Sequence, residues 1–313
     1  MNPLTGIYGA ATALRNTLYD RGALSSRRLQ QPVVSVGNLS AGGSGKTPFV
    51  IALGELLQAR GIRFDVLSRG YRRKTRGVLV VEPDGSAADF GDEPLLIARR
   101  LGVPVIVGES RYQAGQVAEQ KFQPQLHILD DGFQHRSLAR DFDIVLVTAS
   151  DFDDRLLPSG RLREPLSSLT RADAVVLPAG LAVDPALTQK PIWRINRELV
   201  LPNLPAAPVV FCGIARPEQF FAQIRAAGIA PAKQVTFRDH HPYPKSDIDR
   251  LQAMRNKLGA SGFLTTEKDA VNLGSLQVNL EPLAVAQLKL TLEDPTAVVN
   301  AILARIAKRK LRS

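Results

Sequence analysis

Apolar residues along the chain fall into two recurring patterns. Short, nearly unbroken apolar runs at residues 33–36, 63–67, 78–81, 103–107, 126–129, 142–148 and 174–177 read as strands, and strands this continuous are buried on both faces. Segments of helical length lie among them, at 48–60 (closed by Gly61), 95–101 and 111–120. The rhythm pauses where Pro202, Pro205 and Pro208 crowd together, a linker signal over residues 201–208. It then restarts with strands at 209–212 and 235–237 and a helix at 217–227. A helix at 247–258, capped by Ser246, follows, and residues 263–269 read as a strand running into a polar turn. A strand at 288–292 and a helix at 295–306 complete the pattern, and no internal repeat or low-complexity tract interrupts it. Strands alternating with helices predict an α/β fold with mostly parallel, doubly wound sheets covered on both faces.

The first thirty residues carry a different signal. Leu4, Ile7, Tyr8, Ala11, Leu14 and Leu18 recur at helical spacing, with Asn2 placed as an N-cap and Pro3 in the first turn. Arg15, Arg21, Arg27 and Arg28 flank the stripe. Two readings fit: a helix packed on its own domain, or a helix lying in a membrane interface with arginines at anionic headgroups.

Composition narrows the partners. Among 313 residues, 40 Lys and Arg against 30 Asp and Glu leave a formal charge of +10, which suits anionic partners: nucleic acid, an acidic membrane face or phosphorylated substrates. The 44% hydrophobic content is ample for real cores, and the length suggests two domains. Cys212 is the single cysteine, so no internal disulfide framework exists, which fits a reducing compartment. No apolar run approaches the roughly 20 residues of a spanning helix, and the N-terminus lacks the apolar core of a signal peptide. A cytoplasmic protein, free or on a membrane surface, is the expectation.

The candidate chemistry centres on Ser40-Ala41-Gly42-Gly43-Ser44-Gly45-Lys46-Thr47, set between a strand and a helix. Glycines let the backbone approach a phosphate closely, and N–H groups at the helix start point at the anion. Lys46 is placed to reach the β- and γ-phosphates and Thr47 to hold Mg²⁺. The usual phosphate loop has glycine where Ser40 stands; Gly42 and Gly43 supply the flexibility instead. Asp130 and Asp131 end an apolar strand, where a carboxylate binds Mg²⁺ directly or through water. Ser68-Arg69-Gly70-Tyr71, followed by Arg72, Arg73, Lys74 and Arg76, closes another strand at the end where open α/β sheets bind ligands, here an anionic substrate. Gly160-Arg161-Leu162-Arg163-Glu164-Pro165 reads either as an ordinary charged loop or as one facing a triphosphate. His127, inside an apolar run, reads as a buried structural histidine.

In this order, Gly37-Asn38-Leu39 running into SAGGSGKTP, Ser68-Arg69-Gly70-Tyr71, Gly91-Asp92-Glu93-Pro94, DDGFQH at 130–135, GRLREP at 160–165, DHHPY at 239–243 and TTEKDAV at 265–271 resemble the tetraacyldisaccharide 4′-kinases, the lipid A 4′-kinases. The resemblance covers nearly the whole chain. It implies a P-loop NTPase-like domain over 31–200, preceded by the helix of 1–30 and joined by the linker 201–208 to a smaller α/β domain over 209–306, with a basic tail at 307–313. It also implies ATP and Mg²⁺, phosphorylation of the 4′-hydroxyl of a tetraacylated glucosamine disaccharide 1-phosphate, and a peripheral position on the cytoplasmic face of the inner membrane. The N-terminal helix is thereby assigned to the anionic membrane surface.

The resemblance also implies residue roles. Ser40, Ala41, Gly42, Gly43, Ser44, Gly45, Lys46 and Thr47 cradle the nucleotide, joined by Arg163. Thr47, Asp130, Asp131 and Glu164 are the candidates for the metal. Asp92 is the general base, partnered by a histidine of the second domain, His240 in preference to His241, because His240 directly follows Asp239. Ser68, Arg69, Tyr71, Arg72, His135 and His241 fall near the sugar substrate. Base and partner lie in different domains, so domain closure assembles the site.

Two other classes are weaker. A guanine-reading switch needs Asn/Thr-Lys-x-Asp, but Asn256-Lys257-Leu258-Gly259 lacks the Asp and Thr266-Glu267-Lys268-Asp269 has the wrong spacing. A nucleic-acid-associated ATPase would use the basic surface, but aromatics make up only 6% of residues and no strand interleaves them for base stacking, so no nucleic-acid partner is expected.

Overall fold

A computed structural model describes residues 3–182, 190–201 and 204–310. Asn2, the Pro202 of the linker and positions 311–313 of the basic tail lie outside the described residues. The chain runs α1 (Pro3–Asp20), β1 (Val33–Asn38), α2 (Lys46–Ala59), β2 (Phe64–Ser68), β3 (Leu79–Val80), α3 (Ala87–Phe90), α4 (Asp92–Leu101), β4 (Val105–Val107), α5 (Arg111–Phe122), β5 (Leu126–Asp130), β6 (Phe142–Leu146) and β7 (Ala174–Pro178). It continues with β8 (Ile192–Val200), β9 (Val209–Cys212), α6 (Pro217–Ala226), β10 (Lys233–Thr236), α7 (Lys245–Leu258), β11 (Phe263–Thr266), α8 (Glu267–Leu273), β12 (Leu283–Leu292) and α9 (Pro295–Lys310).

Among the described residues, twelve strands form one α/β sheet in the order β10-β9-β11-β12-β8-β7-β6-β1-β5-β2-β4-β3. Most neighbours are parallel, as the uninterrupted apolar runs require. Alternate residues of β1, β2 and β5 serve opposite faces: Val34, Val36, Val66 and Ile128 pack with α2 and α4, while Val33, Leu67 and Leu129 pack with α5. Each such side chain contributes about 1.5–3 kcal/mol when fully buried. Beyond β12 the same logic repeats, with α7 on one face and α6 on the other.

The structure departs from the sequence reading in several places. The sheet is continuous and contains two antiparallel pairs, β3 with β4 and β8 with β12. β8 was not expected, because Arg194, Arg197 and Glu198 break up its apolar character; only alternate residues such as Trp193 and Ile195 are buried. β12 starts at Leu283, five positions ahead of the expected strand by the numbering. Its first half pairs with β11 and its second half with β8. The polar turn expected after β11 is the start of α8, where the Thr266 hydroxyl accepts from the Asp269 N–H. Ser246 lies inside α7, which begins after Pro244, and does not cap it. Finally, α9 extends through Lys310, so the first part of the expected tail is helical. Val298, Val299, Ile302 and Ile306 of α9 join the core of the first sheet half, and Arg309 donates to Asp141 and to the Leu29 and Gln30 carbonyls.

His127 is buried, as expected, but as part of an ion pair. Its Nδ1 lies 2.9 Å from an Asp65 oxygen and its Nε2 3.3 Å from Glu119. Burial disfavours its charge, yet the two carboxylates override this and raise its pKa to about 9. His127→Leu strands the Asp65 charge and is expected to cost about 3–5 kcal/mol in urea unfolding, while Asp65→Leu/His127→Leu recovers most of it. A folded pKa above the unfolded value means that His127 stabilises fully below about pH 6.5 and loses that contribution as pH rises toward 9. The His127→Leu variant should lack that slope; equal slopes would show that the pair is not ionised.

Candidate active site

The glycine loop leaves β1 and enters α2. Gly42, Gly43 and Gly45 all have positive φ, near 70–90°, which other residues adopt only at a cost. Lys46 and Thr47 open the helix, where N–H groups lack intrahelical partners and face an incoming anion. Lys46 Nζ donates to Asn38 Oδ1 at 2.9 Å and lies 3.3 Å from Asp131 Oδ1. The GRLREP segment runs beside the loop: Ala41 N donates to the Arg161 carbonyl and Arg163 N to the Leu39 carbonyl, both at 2.7 Å.

Asp130 and Asp131 sit together but in different states. Asp131, in left-handed backbone, receives both guanidinium nitrogens of Arg163 at 2.8 and 2.9 Å. Burial pushes its carboxyl up, but Lys46 and Arg163 hold it well below the usual range. Asp130 is fully buried; Ser68 Oγ donates to its Oδ2 at 3.1 Å, and its Oδ1 has no partner among the described residues. Burial, with Glu93 and Asp131 nearby, raises its pKa to about 7. A buried carboxylate oxygen without a proton donor, near the Thr47 end of the loop, has the chemistry of a Mg²⁺ ligand, and Asp130 fits that ion better than Asp131.

Asp92 begins α4 after Gly91, whose φ of 89° and approach to the Gly70 backbone disfavour a side chain. The close contact fixes Asp92 against the 68–73 segment. Its Oδ1 accepts from the Glu93 N–H at 2.9 Å; its Oδ2 accepts from His240 Nδ1 at 2.7 Å and Asn272 Nδ2 at 3.1 Å. Burial would raise the Asp92 carboxyl, but the His240 hydrogen bond, Lys268 and Asn272 together hold it below its ordinary value. Lys268 Nζ lies 3.1 Å from His240 Nε2 and 3.2 Å from Asp239. An ammonium has only protons to donate, so Nε2 presents its lone pair to Lys268 and Nδ1–H points at Asp92. His240 itself has positive φ, and Arg72 holds its backbone by donating to the Asp239 and His240 carbonyls.

Two cavities meet at His240. One is lined by residues 42–48, Arg197, Ile214, Phe220, Lys268 and Leu288; the other by Tyr71, Arg72, Asp92, Pro242 and Asn272; His240 lines both. Tyr71 is exposed and sets its ring edge-on to His240, with centroids 5.2 Å apart. His135 lies among arginines; burial, then Arg111, Arg140, Arg15 and Arg69, lower its pKa to about 4. Arg69 thus belongs to the group of arginines around His135.

One expected site residue, His241, is not brought in. His241 turns into its own half of the chain, bonded to Asp247 at 2.6 Å and stacked on Phe237, because adjacent residues of a turn point apart. Glu164 is wholly buried; Arg171 and Asn16 of α1 take its Oε2, both at 2.7 Å, which ties the helix down, while its Oε1 has no partner among the described residues and stays open to a metal, as Asp130 Oδ1 does. Conversely, Asn38, Lys268 and Asn272 take part in the site without a sequence signal of their own, although Asn38 and Lys268 fall within the GNL and TTEKDAV motifs. Nothing in the sequence signals the contact of Asn272 with Asp92.

Helix α1 lies over this region. Tyr8 donates to the Arg163 carbonyl, Arg15 to the Gln134 carbonyl, and the Asn16 carbonyl accepts from Arg136. Next to these contacts the helix presents exposed apolar side chains: Leu4, Ile7 and Leu14 are 57%, 66% and 62% exposed. Among the described residues no helix is long and apolar enough to cross a membrane.

The family model described as LpxK, tetraacyldisaccharide-1-P 4′-kinase, matches residues 1–307. A tetraacyldisaccharide 4′-kinase of Koribacter versatilis is 48% identical, covering 99% of this chain and all of that protein. One from Geobacter metallireducens is 38% identical over 94% of both. The crystal structure of LpxK from Aquifex aeolicus in complex with ATP superposes with a TM-score of 0.80 at 36% identity, covering 97% of this chain and 98% of that one.

Proposed function

The chain belongs to the LpxK family of tetraacyldisaccharide-1-P 4′-kinases, and from that membership we infer how its residues divide the work. It is an ATP-dependent kinase of lipid A biosynthesis that phosphorylates the 4′-hydroxyl of the tetraacyldisaccharide 1-phosphate. The observation that carries the division is the position of the Asp92–His240 pair between the loop cavity and the second cavity. ATP occupies the loop side, its β- and γ-phosphates on Lys46 and the loop amides. The sugar approaches from the side of Tyr71 and Arg72, with Arg69 and His135 beyond.

Asp92 accepts the proton of the 4′-hydroxyl while that oxygen bonds to the γ-phosphorus and the bond to the bridging oxygen breaks, releasing ADP. An ionised carboxylate is a weak base, so its hydrogen bonds matter. His240 Nδ1–H orients Oδ2 and shares the charge change as the proton arrives. Lys46 stabilises negative charge on the migrating phosphoryl group. Thr47 and Asp130 would hold Mg²⁺, which would neutralise phosphate charge. The pair joins α4 to the turn after β10, two regions far apart in the chain, so closing the C-terminal half on the first assembles the site.

For the membrane side, α1 is the anchor. Its polar side holds the loops at Arg163 and Gln134 while Leu4, Ile7 and Leu14 enter the acyl layer of the cytoplasmic leaflet. Replacing these three by Asp should cut sedimentation with anionic vesicles at least about 100-fold, since each side chain contributes about 1.5–3 kcal/mol when buried. The positions are exposed, so folding and ATP binding should persist. Unchanged sedimentation would return the helix to a purely structural role.

The direct test of function is transfer of labelled γ-phosphate to a disaccharide 1-phosphate lipid, run beside acceptor-free, DNA and RNA controls. Label on the lipid alone is the expected result; turnover that ignores the lipid and follows nucleic acid would overturn the reading.

A further inference from the structure

The inner stripe of β8 reads Trp193, Ile195, Arg197, Leu199, so an arginine occupies a place where the strand's alternation calls for an apolar side chain. Arg197 NH2 donates to the Ser44 carbonyl of the glycine loop at 2.8 Å. It passes so close to Gly45 that a Cβ there would meet it at 3.0 Å. Arg216, just ahead of α6, packs along Gly43, its Nε 2.9 Å from the position of a Cβ, and donates to Ser150 Oγ at 3.2 Å. Both side chains line the loop cavity. In both, Nε is buried and has no hydrogen-bond partner among the described residues.

These charges are poorly compensated. Burial, then Arg216, depress the Arg197 guanidinium, and no carboxylate opposes them. Burial and Arg161 depress Arg216, with only partial relief from Asp151 and Asp154. Lys46, by contrast, already rests on Asn38 and Asp131. Two neighbouring guanidiniums with leftover donors, held against the glycine loop, form a site short of negative charge.

We propose that Arg216 is a phosphate-contacting cation supplied by the C-terminal half of the chain that makes this kinase select a nucleoside triphosphate over a diphosphate, and that Arg197 beside it positions the glycine loop for either nucleotide. The proposal rests on the loop being the nucleotide site. Arg216 meets the terminal phosphate with its free donor. Arg197 fixes the Ser44 carbonyl, which anchors the loop and its following amides. A third phosphate brings the additional negative charge that Arg216 lacks, so its contribution falls mainly on the triphosphate.

The test is binding of ATP and ADP to the full chain by calorimetry, without lipid acceptor, with thermal melting as a folding control. Arg216→Gln should weaken ATP about 10- to 100-fold, as loss of a charged hydrogen bond does, and ADP no more than about threefold. Arg216→Lys keeps the charge and should retain an ATP-to-ADP preference within about threefold of the parent. Arg197→Gln should weaken both nucleotides together, because the loop itself loses its anchor. ATP affinity unchanged in Arg216→Gln, or equal losses for ATP and ADP, overturns the selection. Unchanged binding of both nucleotides by Arg197→Gln overturns its positioning role. If the parent protein binds neither nucleotide, the failure lies with the loop as nucleotide site, and the two results are thereby told apart.

Discussion

Lys46→Ala should lose phosphoryl transfer by at least about 10³-fold while the protein stays folded. The side chain sits at the start of α2, and its ammonium is the loop's own cation for the migrating group. Removing it takes a charge from the place where negative charge spreads in a loose transition state. The fold should survive because Asp131, the residue's ion-pair partner, keeps both guanidinium bonds from Arg163, and Asn38 keeps its bond to the Ser40 carbonyl. Thermal melting with single-turnover kinetics checks both halves. A folded Lys46→Ala protein turning over near the parental rate would remove the glycine loop from the chemistry.

The Asp92–His240 pair carries the second large effect. Asp92→Ala and His240→Ala should each slow the chemical step by about 10²–10⁴-fold, the range of general base catalysis, with little change in ATP affinity. The double variant should cost much less than the product of the singles, since the two act as one unit. The pH dependence has a definite sign. Asp92 is ionised at neutral pH because the His240 bond, Lys268 and Asn272 outweigh its burial. Without His240, burial gains ground, the Asp92 carboxyl rises, and the acid limb of the rate profile moves to higher pH. His241→Ala is the control: its ring is held by Asp247 and Phe237, so its effect should be small. Full rate from Asp92→Ala at saturating lipid would leave catalysis to the loop and metal electrostatics alone.

The parts of this site legible in the sequence are those written in local chemistry. Gly42, Gly43 and Gly45 ahead of Lys46 announce a positive-φ loop opening a helix, and the apolar run into Asp130 announces a carboxylate at a strand end. Gly91 before Asp92 reads as a helix start, and its φ of 89° beside the Gly70 backbone explains why glycine suits it. What could not be read depends on residues meeting across the fold. Arg197 hides in a strand whose exposed positions are also polar, and Asn272 belongs to α8, whose first turn reads as a loop. Choosing between His240 and His241 needs the positive-φ turn that aims one ring at α4 and the other at α7. The even shape of the alternation also hid that the two halves share one sheet, because the joint is the antiparallel β8–β12 pair.

That joint has a consequence for how the protein is made. Strand β12 is the only partner β8 has on its outer side, and α9 fills the core that β1 and β2 help to build. A nascent chain therefore cannot complete its first half when that half leaves the ribosome. At about 5–20 residues per second, it waits about 5–20 seconds for residues 283–310, with the β8 edge unpaired and an apolar sheet face uncovered. Vectorial synthesis, which lets many multidomain proteins fold from the N-terminus forward, gives little protection to this topology, and the burden falls on chaperones that shield a sheet until its last strand and helix arrive.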